Sequence, residues 1–313
     1  MKKIIILEHN EGRLGNQLWN YISIYAYCLE KGYECDNWSF FEYEKYFENI
    51  KTGNIFVRIF FKNILMNFVK SRKAAIFLYR RYISLVKILN QEKIIYSDTL
   101  ASKRSVFYLP PTKKKNHPFN QKEMEKIKVI DGKKRYFSGW MFRNPVGIEK
   151  YRKKIKKRFK PEEKSRLATE SFVSELREKY DYLIGVHIRQ GDYTALNGRK
   201  FYFSQEQVYK ILLDLKKNLK KKKCCFIICS NGKININIFK KIDAVKGPNE
   251  VIEDLYALSL TDFIIGSNST YGAFASYWGN IPMAVFSREK INWSYYLKKK
   301  GYFENKDCTM VHY

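Results

Sequence analysis

Tyr182-Leu183-Ile184-Gly185-Val186-His187-Ile188-Arg189-Gln190-Gly191-Asp192-Tyr193, in the middle of the chain, passes from an apolar run into a His, an Arg, a Gly and an Asp within six positions. The apolar run predicts a buried strand. Proteins of the α/β class gather ligand-binding groups at the carboxyl ends of such strands. Taken alone, the stretch also fits an ordinary strand that ends in a polar turn, so its neighbours have to decide.

On the carboxyl side the alternation is regular. The pattern predicts a strand over 183–188, a helix over 204–222, a strand over 225–229, a helix over 249–260, a strand over 263–266, a helix over 269–278 and a strand over 283–286. Such a βαβα series predicts a parallel sheet with helices on both faces. The Lys run between Lys216 and Lys223 falls at a helix end, where cations suit the dipole.

On the amino side, residues 4–7 predict a first strand, followed by Gly12-Arg13-Leu14-Gly15-Asn16-Gln17 and a helix running to Leu29. A strand, a Gly-containing loop and a helix can hold an anion on backbone N–H groups. Gly12 and Gly15 equally fit a tight turn. Gly32 is the expected helix cap, with a second strand over 33–41 and a strand over 135–140. A basic helix is expected over 145–160 and another helix over 165–180. Pro161-Glu162-Glu163 sets the expected boundary: a first domain over 1–162, a second over 163–290, and a tail over 291–313 returning to the first.

A chain of 313 residues is long enough for two such domains, and 45% hydrophobic content is globular, not disordered. The net charge of +28, from 59 Lys and Arg against 31 Asp and Glu, favours polyanions: nucleic acid, an anionic membrane or phosphorylated substrates. No RNP, KH or zinc signature supports nucleic acid. From Lys51 to Asn90 there is no Asp or Glu, while nine Lys and Arg alternate with apolar clusters. That spacing predicts amphipathic helices with a basic face, which either lie on an anionic membrane or pack on their own domain with solvated lysines. The six Cys residues lack zinc-site spacing and read as reduced thiols of a cytoplasmic protein. Met1 to Leu7 is too short an apolar segment for a secretion signal, and no 18-residue apolar run predicts a membrane span.

Three segments together resemble a family. Gly12-Arg13-Leu14-Gly15-Asn16-Gln17-Leu18, then His187-x-Arg189-x-Gly191-Asp192-Tyr193, then Asp254-Leu255-Tyr256 with Asp262 to Gly266 and Asn268-Ser269-Thr270, are similar in order and spacing to the bacterial α-1,2-fucosyltransferases (glycosyltransferase family 11). The resemblance extends to the wider superfamily that includes the α-1,6 and protein O-fucosyltransferases. Tyr136-Phe137-Ser138-Gly139-Trp140 is similar to the family's mid-chain segment.

The resemblance implies a GT-B-like α/β fold: two Rossmann-like, doubly wound domains facing a cleft, with the donor held mainly by the second. It also implies inverting transfer of fucose from GDP-fucose to a glycan hydroxyl, without a cofactor or metal. Carried over by position, Arg189 corresponds to the arginine on the donor β-phosphate and His187 to the histidine beside the nucleoside. Asp254 corresponds to the aspartate that reads guanine, and Ser269, Thr270 and Tyr271 fall in the phosphate-binding segment. Arg13 and Asn16 fall in the first-domain loop that faces the reacting centre. Glu11, Asp192 and His9 are candidate bases by position, and Asp192 alternatively braces Arg189. Gln190 stands where many relatives carry a second Arg, and Ser269 and Asp254 could equally be an ordinary helix cap and a surface Asp.

These readings make the chain a cytoplasmic GDP-fucose-dependent transferase that extends a surface polysaccharide or its lipid-linked precursor, the latter on an anionic membrane. The alternatives are another GDP-sugar on the same fold, a binding relative without catalysis, and a basic nucleic-acid-binding protein.

Overall fold

The computed structural model describes residues 2–8, 12–97, 134–139, 142–194, 201–219 and 223–304, with the side chains of Glu92, Tyr96, Ser97 and Asp192 outside that description. Pro110 to Pro118, with His117, lie outside the described residues, as do Trp140 and Cys308. The chain divides into two compact units, one ending at Lys160 and the other beginning at Pro161.

In the first unit, β1 (Lys3–Glu8) buries Ile4, Ile5, Ile6 and Leu7 in succession, as a central strand covered on both faces must. α1 (Leu14–Lys31) follows and stops at Gly32, which takes a left-handed φ of 66° that a side chain would strain. β2 (Glu34–Asn37) is shorter than its pattern suggests. Asn37 Oδ1 accepts the Ser39 N–H at 3.1 Å and caps a 3₁₀ turn, Trp38–Glu42, so the aromatic residues after it leave the sheet.

The acid-free segment forms a π-helix, Val57–Phe68, and then α2 (Arg72–Leu89), capped by Ser71. β3 (Ile94–Ser97) and β4 (Lys134–Gly139) complete a parallel sheet of order β2-β1-β4-β3. The single basic helix expected after it is two: α3 (Pro145–Lys150) and α4 (Arg152–Arg158). They are separated at Tyr151, whose hydroxyl reaches Glu30 of α1 at 2.8 Å.

The second unit opens with α5 (Glu163–Arg177) and β5 (Tyr182–Ile188), followed by α6 (Gln205–Asn218) and β6 (Cys224–Ser230). Next come β7 (Ala244–Lys246), α7 (Val251–Ser259), β8 (Phe263–Gly266), α8 (Thr270–Gly279), β9 (Met283–Val285) and α9 (Trp293–Tyr296). Its sheet is parallel, in the order β7-β6-β5-β8-β9.

Period-two alternation sends Ile184, Val186 and Ile188 of β5 into a core with Val208, Leu212 and Phe226. His187 falls on the opposite face with Gly185, where a Cβ at position 185 would meet Leu258 of α7 at 2.8 Å. Asp262 laces the amino end of β8 to β5: its Oδ2 accepts the Leu183 N–H at 2.7 Å and pairs with Arg177.

The tail differs from expectation over its described part, 291–304, which packs on the second unit instead of the first. Ile291 and Trp293 enter the core of that unit, Trp293 donates its indole N–H to Asp214 of α6 at 2.7 Å, and Tyr302 sets its ring on Tyr277 of α8. A buried Trp needs an acceptor for that N–H, and Asp214 supplies one within the second unit.

Candidate functional site

The order of the second sheet fixes where a ligand can enter. From the central β5 the chain winds outward through β6 and β7, then returns to the other side of β5 as β8 and β9. Between β5 and β8 the direction of winding reverses, and the loops that leave their carboxyl ends diverge. Such switch points are where open parallel sheets bind ligands. The residues that follow β5 and β8 are Arg189 to Tyr193 and Ser267 to Ser269, the sequence's two strongest candidates.

These loops are tied together. Ser267 donates its N–H to the His187 carbonyl at 2.8 Å, and its hydroxyl accepts the Arg189 N–H at 2.9 Å. Tyr193 donates its hydroxyl to the Asn268 carbonyl at 2.7 Å, and the Arg189 guanidinium carbon sits 5.0 Å from the centre of the Tyr193 ring. Arg189 is half-buried, so its charge is fixed near the mouth of the crevice. On the other side of β5, Asn231 after β6 accepts the Gln190 N–H at 2.8 Å. The Gln190 side chain lies so close to Gly232 that a Cβ there would meet its Oε1 at 2.8 Å.

His187 is 4% exposed, with its ring 4.9 Å from that of Tyr271. Burial, reinforced by the Arg189 charge, pushes its pKa down to about 3, so the imidazole is neutral at physiological pH. Its Nδ1 is buried and has no hydrogen-bond partner among the described residues. Ser269 caps α8, its hydroxyl accepting the Tyr271 N–H at 3.3 Å, and both Ser269 and Thr270 are buried. The Tyr271 hydroxyl reaches back to the Val251 carbonyl at the start of α7, which brings the two helix N-termini together.

Asp254, in the first turns of α7, is not a surface residue: it is 7% exposed. Its Oδ1 accepts the Asn249 N–H at 2.9 Å, with Asn249 in a left-handed conformation at φ 72°. Cys229, which lies opposite His187 in the β5–β6 register, holds its thiol 3.9 Å from the Asp254 carbonyl. A Cβ at Gly247 would strike both Cys229 Sγ at 2.5 Å and Asp254 Oδ1 at 2.7 Å, so only glycine fits between them. Burial raises the Asp254 pKa to about 6, even though the Asn249 N–H favours the ionised form.

The second unit therefore brings together His187, Arg189, Asp254, Ser269, Thr270 and Tyr271 around one end of its sheet. Arg13 and Asn16 belong to the first unit. Arg13 is the exposed residue that precedes α1, and Asn16 lies in the first turn, so close to Gly12 that a Cβ there would meet its own at 2.7 Å. They follow β1, whose carboxyl end beside β4 is the corresponding reversal of the first sheet. There Glu8 pairs with Lys87 and accepts the Ser138 hydroxyl at 2.6 Å. Glu11 and His9 lie outside the described residues. Asp192 sits in the short turn Gly191–Thr194, with its side chain outside the description.

Tyr193, quoted in the motif above without a role, and Asn231 make contacts that join segments far apart in the chain, whereas Asn249 holds Asp254 five residues on. The local signal is that Asn is a turn former, although Asn249 falls at the start of the helix expected over 249–260 and precedes α7 in the structure. Among the described residues, no group of three or more His, Cys, Asp and Glu could hold a metal ion. The five described cysteines are unbonded thiols.

No family model and no curated protein matches the sequence. Solved structures do match. The chain is similar to POFUT1 in complex with GDP at 13% identity and a TM-score of 0.52, covering 91% of this chain and 98% of that one. It is similar to POFUT1 in complex with GDP-fucose at 13% identity and a TM-score of 0.51, again over 91% and 98%. A mutant of Arabidopsis thaliana FUT1 in complex with GDP aligns at 12% identity and a TM-score of 0.53, over 93% of this chain and 72% of that one. The fold is thus α/β and GT-B-like, built on two Rossmann-like parallel sheets.

Proposed function

We propose that this chain is an inverting glycosyltransferase that moves fucose from GDP-fucose to a glycan hydroxyl. Within that reading, the linkage is α-1,2 and the setting is the synthesis of a surface polysaccharide. The observation that carries it is Arg189 at the reversal between β5 and β8, fixed through its N–H by Ser267 and through its guanidinium by the Tyr193 ring. Support comes also from the structures it resembles, which hold GDP or GDP-fucose.

In this mechanism the acceptor hydroxyl attacks C1 of the fucosyl group while the bond from C1 to the β-phosphate oxygen breaks. Negative charge grows on the leaving diphosphate. Arg189 stabilises it with charge-assisted hydrogen bonds, joined by the hydroxyls and N–H groups of Ser269 and Thr270 at the start of α8. A guanidinium already in position needs no reorganisation as charge develops, and no metal is required for that role. Neutral His187, its ring tilted against that of Tyr271, contributes shape and hydrogen bonding beside the nucleoside, not charge.

Asp254 suits guanine, whose N1–H and N2–H donors lie on one edge. Its second oxygen and the remaining lone pair of Oδ1 are the acceptors offered. Arg13 and Asn16 act on the fucosyl and acceptor side, with Glu11 or Asp192 receiving the acceptor proton.

The test is turnover of a panel of nucleotide sugars with a panel of glycan acceptors, with and without a chelator, followed by determination of the product linkage. Release of GDP from GDP-fucose with a new fucosidic bond supports the reading. Turnover of another GDP-sugar in its place overturns the fucosyl part, and binding of UDP but not GDP overturns the role of Asp254.

A further inference from the structure

The π-helix Val57–Phe68 and α2 form an antiparallel hairpin. Phe56 packs against Tyr82 with ring centres 5.2 Å apart, Phe61 packs against Tyr79 at 5.3 Å, and the chain reverses at Lys70, where φ is 55°. Its inner face is consumed by its own domain: Val57, Phe61, Leu65, Ala75, Tyr79 and Ile83 are buried in one core with Ile5 and Leu7 of β1. An amphipathic helix with one apolar face buried should turn polar residues outward. This hairpin turns large apolar residues outward among its polar ones.

On the π-helix side Ile55, Ile59, Ile64 and Phe68 are exposed, Phe68 to 85%. They recur at spacings of four, five and four residues, which an i→i+5 winding places on one face. The winding that buries Val57, Phe61 and Leu65 therefore also aligns an apolar stripe on another side. On α2, Phe77 (57%) and Leu85 (61%) stand eight residues apart on one face, and Leu89 (82%) is exposed at its end. Between Phe77 and Leu85 lies Arg81, its guanidinium 5.3 Å from the Phe77 ring centre. Large exposed apolar surface of this kind marks an interaction site.

The charge around it selects the occupant. Residues 51–90 contain nine Lys and Arg and no Asp or Glu. Lys62, Arg72 and Lys87 are ion-paired to Glu44, Glu42 and Glu8, while Arg58, Lys70, Lys73 and Arg81 are exposed. A second copy docking by the same face would set these cations against their equals. The chain's own segment 98–133 carries nine Lys and Arg against four Asp and Glu, so it too has the wrong sign. Apolar side chains interleaved with cations match the boundary between acyl chains and anionic headgroups.

We infer that the outer face of this hairpin is a peripheral docking surface for an anionic lipid bilayer. No helix among the described residues is long and apolar enough to cross a membrane, so the contact is superficial. The inference does not depend on the donor proposed above.

The experiment is flotation of the full chain with phosphatidylcholine vesicles, with and without phosphatidylglycerol, at low and raised salt. It compares the wild type with a triple variant, Phe68→Ser, Phe77→Ser and Leu85→Ser, which leaves net charge unchanged. The wild type binds the phosphatidylglycerol vesicles, and the variant binds them about tenfold or more weakly with an unchanged melting temperature. Failure of the wild type to bind overturns the inference. So does equal binding by both proteins, which would assign the attraction to charge elsewhere on the molecule. A dimer seen by light scattering that the variant abolishes, without vesicle binding, overturns it in favour of a second copy. Loss of stability in the variant, with no vesicle binding by the wild type, overturns it in favour of cover by the chain itself.

Discussion

Arg189 is held at two points, its N–H by Ser267 and its guanidinium over Tyr193, so removing the side chain beyond Cβ leaves the backbone contact in place. Arg189→Ala should lower turnover of GDP-fucose by about a hundredfold to a thousandfold, with circular dichroism and melting temperature preserved. A variant that keeps near-normal kcat removes Arg189 from the mechanism. Asp254 makes the opposite trade. Unfolded, its carboxyl releases a proton near 3.8; folded, near 6. Between those values the folded chain binds more protons than the unfolded one, so stability falls as pH rises through that window and stays lowered above it. Asp254→Asn keeps an acceptor for the Asn249 N–H and removes the buried charge. It should stabilise the protein at neutral pH by up to about 3 kcal/mol, with the gain vanishing near pH 4 in urea titrations. The same change should weaken GDP binding by calorimetry, and wild-type affinity for GDP should fall below about pH 6 as the carboxyl protonates.

At the scale of elements, a tight constraint lies where β8 ends against β5. A Cβ at Gly266 would sit 2.7 Å from the His187 carbonyl oxygen and 3.0 Å from the His187 Cβ, in a ladder that cannot yield. Gly266→Ala should cost about 1–3 kcal/mol, read as a lower urea midpoint at unchanged slope; a variant of wild-type midpoint would show that the strands can part. The elements of the second unit were largely legible because buried parallel strands are continuous apolar runs and their helices have 3.6-residue periodicity, as in Phe263–Gly266 and the helix after it. β7 was not, since Ala244 and Val245 are half-exposed and Lys246 is exposed, with no pattern. The break at Tyr151 was hidden because it falls inside one continuous basic stretch. At the site, Arg189 and Ser269 stood out at strand and helix ends. The environment of Asp254 did not, because Cys229 meets it only through the fold and the left-handed turn at Asn249 has no signature in the pattern.

For the whole molecule, a net charge of +28 on 313 residues means that like charges outnumber opposite ones across the surface. Self-repulsion lowers stability and salt screens it, so adding NaCl to about 0.15 M, where the Debye length is about 8 Å, should raise the melting temperature. A fall in melting temperature would show that ion pairs such as Arg166 with Glu170 outweigh the repulsion. The placement of β5 between β6 and β8 has a further consequence in time. A nascent chain that has emerged from the ribosome as far as Ile188 has made the central strand of its second sheet and neither of that strand's neighbours. One edge of β5 waits for Cys224–Ser230 and the other for Phe263–Gly266, so its apolar residues stay unsheltered through most of the synthesis of the unit. Pairings so distant in sequence close slowly and leave a strand edge open to other chains meanwhile. Translation that stalls before Phe263 should therefore yield an aggregation-prone fragment. Within its own sheet, the strand that carries Arg189 is the first to be made and among the last to be completed.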